Sequence, residues 1–376
     1  MRKLTLKATV EQTGADTVIR IALLGEGVPQ EVQDYGIYIH LRNYQRFTAS
    51  SLYDGLMFMF IFVAMERFDV FEICGPVSKK ALRNIQIFQE AWHCLLPENY
   101  KICQIVAQRE VGDFWLNVRR KEKAISAFSG GLDATFLALR HTQKNNWSYP
   151  LQSCVMVHGF DVRHENDEAF ERLVSRVMPF LQSVGLTPHL VKTNVRQYEL
   201  QNWEHSFSSQ LSGILHLFYR DYSYALLGSS EPYNHLVFPW GSTPATDYLL
   251  SGGAVDIVHE GAGFSRTGKA ELVARDSVGR RTLKVCWEGQ DQAANCGQCE
   301  KCVRTRLNFK AVGMDNPECF EQPFEMEMID TLNVRNVAQL TELKSVVAYC
   351  TQHNMQAEWM CRLETRLQQE AGKLSA

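Results

Sequence analysis

The sequence predicts an α/β chain: a parallel sheet with helices on both faces over residues 121–313, a smaller α+β domain before it over 1–120, and a helical extension over 314–376. Three observations carry this. From Lys121 onward, short apolar runs alternate with amphipathic helical stretches, the pattern of parallel strands joined by crossover helices. The first of those runs is followed at once by a serine, two glycines and a helical stretch. Before Lys121 the strand-like runs lie close together, with an apolar and an amphipathic helix among them, which suits an α+β unit.

A chain of 376 residues is long enough for two domains or one elaborated domain, and its 45% hydrophobic and 22% charged content is that of an ordinary folded protein. A formal net charge of −3 argues against broad, sequence-independent binding to nucleic acid. The most apolar run, Gly55–Met65, is about half the length that crosses a bilayer, so it is read as a buried helix, and no membrane partner is expected. The N-terminus, M-R-K-L-T-L-K-A-T-V, alternates like a strand and lacks the apolar segment of a signal peptide. Eleven cysteines, four of them in a metal-ligand pattern, then point to the reducing cytosol and not to a disulfide framework.

In order, strands are expected at Leu4–Val10, Thr17–Leu23 and Tyr35–Leu41, a buried helix after Ser51, a strand at Val70–Ile73, a helix from Ser78 to His93 and a strand at Ile102–Val106. Nothing in this first part carries a reaction centre. It is read as a domain that recognises substrate or a partner protein. The second part begins with a strand at Ala124–Phe128, a helix through Thr142, a strand at Ser153–His158 and an acidic amphipathic helix from Asn166 to Val184. Strands at His189–Thr193 and Tyr224–Gly228 follow. A turn-rich stretch, W-G-S-T-P-A-T-D-Y-L-L-S-G-G, reads as a mobile substrate loop, and V-D-I-V-H-E leads through another loop to a helix near Thr267. His259 and Glu260 beside that loop suit acid–base work, although a lone histidine is more often structural. The tail from Met314 reads as helices packed on the cysteine-rich side or on another subunit, a homodimer being one such arrangement.

The chemistry starts in S-G-G-L-D-A-T. Gly130 and Gly131 lack Cβ atoms, so their N–H groups can converge on an anion; Ser129 and Thr135 add hydroxyls, and the helix starting near Leu132 aims its positive end at the same point. Asp133 would repel a bare phosphate, which makes it a ligand for magnesium arriving with a nucleotide. The bland reading is a serine-capped helix after a Gly-Gly turn. In sheets of this class ligands bind beyond the carboxyl ends of the strands, and that rule gathers Ser129–Thr135, Gly159–His164 and Gly228–Tyr233 on one rim.

Cys286, Cys296, Cys299 and Cys302 form one cysteine followed by a C-x-x-C-x-x-C run, a spacing that closes a tetrahedral zinc shell, with Gly297 easing the turn between two ligands. From Arg280 to Lys310 the chain carries seven Arg or Lys against three Asp or Glu, which offsets the two extra negative charges of a zinc tetrathiolate.

S-G-G-L-D-A-T resembles the S-G-G-x-D-S-T loop of the PP-loop ATP pyrophosphatases, and C-W-E-G through C-G-Q-C-E-K-C-V-R-T-R-L-N-F-K-A-V-G resembles the zinc segment of 7-cyano-7-deazaguanine synthases; the likeness covers Lys121 to Gly313. It implies a HUP-type nucleotide-binding sheet and an enzyme that adenylates a carboxylate or amide on a small molecule or peptide, releases pyrophosphate, and forms a C–N bond. ATP, Mg2+ and a structural Zn2+ are the implied cofactors. Ser129, Gly130, Gly131 and Leu132 would hold the nucleotide, joined by Asp133, Thr135, Asp161 and Gly228. The S-R-T-G-K-A-E-L stretch resembles the S-K-x-E helix start of the same enzymes, so Arg266 and Lys269 would act on the phosphates together with Asp133. Asp161, Arg163 and His164 fall in the loop that holds nucleotide or substrate in that family; a polar turn capping the next helix is the plain alternative.

One departure matters. The family has a hydroxyl residue directly after the loop aspartate, where this chain has Ala134, and one lost charge-assisted hydrogen bond is worth roughly 1.5–3 kcal/mol. A nucleotide-binding scaffold subunit with little turnover, working in a multi-protein defence or modification system, is therefore the alternative function.

Overall fold

The computed structural model describes residues 1–118, 120–143 and 145–374. Ten strands form one sheet: β1 (Lys3–Thr13), β2 (Asp16–Leu24), β3 (Ile37–Leu41), β4 (Val70–Ser78), β5 (Gln104–Val111), β6 (Ala124–Ala127), β7 (Leu151–His158), β8 (Thr187–Thr193), β9 (Tyr224–Gly228) and β10 (Asp256–Glu260). Their spatial order is β10-β9-β6-β7-β8-β3-β2-β1-β4-β5. From β10 to β8 every pairing is parallel, and the chain adds β7 and β8 on one side of β6, then β9 and β10 on the other. Strand order therefore reverses at β6.

That reversal distributes the helices. A right-handed crossover puts its helix on one face when the chain moves one way across the sheet and on the opposite face when it moves back. The helices Leu132–Thr142 and Asp167–Ser183, which serve β7 and β8, bury Leu132, Phe136, Phe170, Val177 and Phe180 in one apolar core. The return to β9 runs through the helix Trp203–His216, whose Ile214 and Leu215 lie in the other core beside Ile125, Val155 and Leu227. Helices thus cover both faces.

Residues 1–120 contribute their strands to the same sheet. β3 pairs antiparallel with β8, Ile39 opposite Thr193, and one apolar core runs from Leu4, Ile19 and Ile73 to Ile125 and Ile257. The apolar run Gly55–Met65 is fully buried, as its composition predicts, but it divides at Phe60 into the helices Asp54–Met59 and Ile61–Arg67. The first of these crosses Trp203–His216 at two glycines: a Cβ on Gly55 would stand 2.4 Å from the Gly213 carbonyl oxygen, and one on Gly213 would stand 2.6 Å from that of Gly55. Only glycine permits so close an approach.

The tail forms the helices Val337–Gln352 and Glu358–Leu374, packed through Leu343, Val346 and Leu363 on Val303 and Leu307 of the helix Glu300–Ala311. No helix among the described residues is long and apolar enough to cross a membrane.

Candidate functional site

The strand ends at the point of reversal open into a cleft. β6 leads into Ser129, Gly130 and Gly131, of which Ser129 lines it while the two glycines lie behind, and β9 leads into Gly228, Ser229 and Ser230, of which Gly228 and Ser230 line it. Gly130 has φ +78°, in the region that glycine alone enters freely, and a Cβ there would stand 2.9 Å from Val177 Cγ1. The Gly131 N–H donates to Ser129 Oγ at 3.3 Å, which folds the turn on itself. Gly131 then caps the helix Leu132–Thr142 without any side-chain hydrogen bond, so the first N–H groups of that helix have no side-chain acceptor. Gly228 packs on the same turn: a Cβ there would come 3.3 Å from the Asp133 carbonyl.

Asp133 is the electrostatic centre. Its carboxylate lies 3.0 Å from Lys269 Nζ and 3.2 Å from Arg266 Nη2, both on the first turn of the helix Arg266–Ala274, which begins beyond the end of β10. Burial works to raise its pKa, but the charges of Arg266 and Lys269 outweigh that and hold it below the usual carboxylate range. Lys269, fully buried, also donates to the Ser229 carbonyl, which ties the loop after β9 to the loop after β6. Arg266 Nη1 reaches both oxygens of Glu342 at 3.2 Å, and Glu342 is shared with Arg304, which pairs in turn with Glu300 at 2.7 Å. A buried chain of alternating charge therefore links the glycine turn to the tail helix and to the cysteine segment.

Two adjoining chambers occupy the cleft. The first, about 260 Å³, has Phe128, Val155, Met156 and Phe170 in its wall, with Ser129 and Asp133 at one end. The second, about 340 Å³, is polar and aromatic, with Trp203, Trp240 and Trp287 among Arg196, Glu204, Arg304 and Glu342. Asp161, Trp203, Phe207, Ser230 and Lys301 line both and mark the neck between them. Together they are of the size that takes a nucleotide and a second small molecule.

Several expected residues stand in this cleft: Ser129, Asp133, Asp161 and Gly228 line it, as does Arg266. Lys269 touches Asp133 from below. Thr135 differs. It is only 2% exposed, and its methyl group packs where Gly279 passes, so it is Ala134 that faces the first chamber. Leu132 is buried and offers only its backbone N–H. Arg163 and His164 line neither chamber, and His164 instead meets Glu165 and the edge of Tyr38. Glu260 is held by Arg140 at 2.9 Å and by His141, so it has a structural partner of its own. His259 Nδ1 lies 2.8 Å from Asp247, which Ser242 and Thr243 also bond. That Asp247 centre buries much of the stretch read as a mobile loop, with Thr246, Leu249 and Leu250 inside.

Glu231, Glu342 and Lys301 also line the cleft, although no motif in the sequence singles them out. Glu231, 3% exposed, lines the second chamber, and burial, reinforced by the charge of Asp133, pushes its pKa up to about 7. Its only signal was a place three residues beyond an apolar strand.

The four cysteines expected to hold zinc do converge. Cys286 and Cys299 sulfurs are 3.7 Å apart, those of Cys296 and Cys302 are 3.9 Å apart, and all four lie within 4.8 Å of one another. Zinc–sulfur bonds of about 2.3 Å set tetrahedral sulfurs about 3.8 Å apart, so the group has the size of a zinc tetrathiolate. Asn295 braces it, accepting from the Cys286 N–H at 3.1 Å and donating to the Leu283 and Cys319 carbonyls. Gly297 takes φ +76°, and a Cβ there would stand 2.8 Å from the Arg306 guanidinium, so glycine suits the turn on both counts. Arg306, 1% exposed, brings positive charge beside Cys296 and Cys302.

No family model, curated protein or solved structure matches this chain. The cleft and the cysteine cluster therefore carry the functional reading on their own geometry. A metal such as zinc fits the cluster, and four thiolates around it would leave no open position for a reacting water.

Proposed function

We propose that this chain is an ATP-dependent enzyme of the PP-loop type, similar to 7-cyano-7-deazaguanine synthases, that activates a carboxylate or amide by adenylation and then forms a C–N bond. The observation that carries the reading is the glycine turn at the strand reversal, with Asp133 held between Lys269 and Arg266 beside it. A parallel five-stranded part in this order with helices on both faces is what a HUP-type nucleotide-binding domain requires, and ligands of such sheets sit at the reversal.

In this reading the uncapped N–H groups after Gly131 receive the β and γ phosphates, and the apolar first chamber takes the nucleoside. Asp133 would hold the Mg2+ that accompanies them, a cation that would supply positive charge beside the departing pyrophosphate. Lys269 and Arg266 keep Asp133 ionised for that task. The acceptor occupies the second chamber. Its carboxylate or amide oxygen attacks the α phosphorus, the bond to the bridging oxygen breaks, and pyrophosphate leaves with the electron pair. An amine nitrogen then attacks the activated carbon, AMP departs, and a proton must leave that nitrogen. Glu231, titrating at about 7 beside the second chamber, is placed to take it. Otherwise catalysis is placement and charge neutralisation.

The acceptor is a small molecule or a peptide end, since the second chamber is open and polar enough for either. The zinc knot is structural, and a cytoplasmic location suits its thiolates. Ala134 on the cleft wall supports a second reading, a nucleotide-binding scaffold subunit with little turnover. Pyrophosphate release measured with candidate acids, beside an Asp133→Ala control, separates the two: release that Asp133→Ala abolishes is expected of the enzyme, and nucleotide binding without any release sinks it.

A further inference from the structure

Four of the five cations that line the two chambers are already engaged. Arg266 and Arg304 hold Glu342, Lys284 donates to the Cys286 carbonyl, and Arg196 donates to the Phe160 carbonyl at 2.6 Å while lying 3.9 Å from the Trp203 ring centroid. The fifth is Lys301. Its ammonium has no hydrogen-bond or ion-pair partner among the described residues, and it lines both chambers at the neck. Asp133, on the wall of the first chamber, and Asp161, which lines both, lie near enough for their charges to act on it against the desolvation of its burial.

The neck is where chemistry between the chambers must happen. If the nucleoside fills the apolar chamber, the β and γ phosphates lie on the glycine turn and the acceptor fills the polar chamber, the α phosphate is what stands between them. We propose that Lys301 is a catalytic residue that binds the α-phosphate oxygens, and that the cysteine knot exists in part to place it. This rests on the nucleotide reading above.

The placement is built into the helix start. Lys301 lies in the first turn of Glu300–Ala311, between Cys299, which caps that helix, and Cys302 inside it. Two ligands of one metal therefore fix the backbone on both sides of the lysine. The same turn carries Glu300, whose pairing with Arg304 at 2.7 Å keeps the neighbouring charges occupied and leaves Lys301 as the free one. A lysine is a point charge with three donors, suited to phosphate oxygens that change geometry as the α phosphorus is attacked.

The test compares AMP with adenosine, because the ratio of their affinities isolates the α phosphate without requiring the acceptor. Calorimetric titration of the full, zinc-loaded chain should show AMP bound more tightly than adenosine. Lys301→Ala should weaken AMP at least about ten-fold, the loss of one charge-assisted hydrogen bond, and leave adenosine unchanged. Lys301→Arg should restore part of the ratio, and unchanged adenosine binding by either variant shows that the cleft remains folded. An unchanged AMP-to-adenosine ratio in Lys301→Ala overturns the assignment, as does an equal loss for both ligands. If the unaltered chain binds neither ligand, the nucleotide reading itself falls and takes this proposal with it.

Discussion

Replacing Asp133 by alanine tests the charge chain at its centre. The Lys269 ammonium has no exposed surface, and its other partners are the neutral Ser229 carbonyl and, at 3.5 Å, the Ser229 hydroxyl. Removing the carboxylate leaves that charge buried without a counter-charge. Breaking a buried ion pair in this way destabilises by about 3–5 kcal/mol. Two features move the expectation to the low end: Arg266 keeps Glu342, and the Asp133 side chain retains 20% of its exposure, so water already screens the pair in part. About 3 kcal/mol is expected. Urea unfolding of the zinc-loaded protein reads it as a lower midpoint at unchanged slope. Because the folded-state pKa of Asp133 lies below its unfolded value, the stabilisation is whole above the unfolded pKa of about 3.9 and disappears as the pH falls through the folded one. The gap between the two proteins should therefore hold from pH 8 to 5 and begin to narrow only below about pH 4. Adding Lys269→Met to Asp133→Ala should recover part of the loss. A single variant within about 0.5 kcal/mol of the parent, the level of an ordinary surface change, would refute the reasoning.

Two other outcomes are expected. Atomic emission should find one zinc per chain; Cys302→Ser should abolish it, and a chelator that lowers the thermal midpoint of the parent should then have no further effect on the variant. Glu231 has the opposite pH behaviour from Asp133. Its pKa rises from 4.5 to about 7 on folding, so the folded state holds the extra proton and stability falls as the pH climbs between those values, by roughly 3 kcal/mol in all. Glu231→Gln should flatten that part of the stability profile, and a profile of unchanged slope would show that Glu231 is already ionised in the folded protein.

The legible features were local. Tyr224–Gly228 and Asp256–Glu260 stand where apolar runs announced them, the helix after Gly131 begins where two glycines precede a helical pattern, and the cysteine spacing alone brings four sulfurs together. What the sequence hid is non-local or fully buried. The helix Trp203–His216 carries Ser206, Ser208, Ser209 and Ser212, all buried, so it shows no apolar stripe and nothing in the sequence announced it. The continuity of the sheet depends on β3 meeting β8, a pairing that no local pattern encodes. The site divides the same way. Ser129, Gly130 and Asp133 declared themselves as a motif, whereas Lys301, Glu231 and Glu342 join them from three distant stretches and acquire a role only from where the chain brings them.

A crystal structure with magnesium and a non-hydrolysable ATP analogue bears most directly on the account. It should place the β and γ phosphates on the N–H groups after Gly131, the cation on Asp133, and the nucleoside against Phe128 and Met156. Phosphates lying elsewhere, or a cleft left empty at saturating nucleotide, would contradict it.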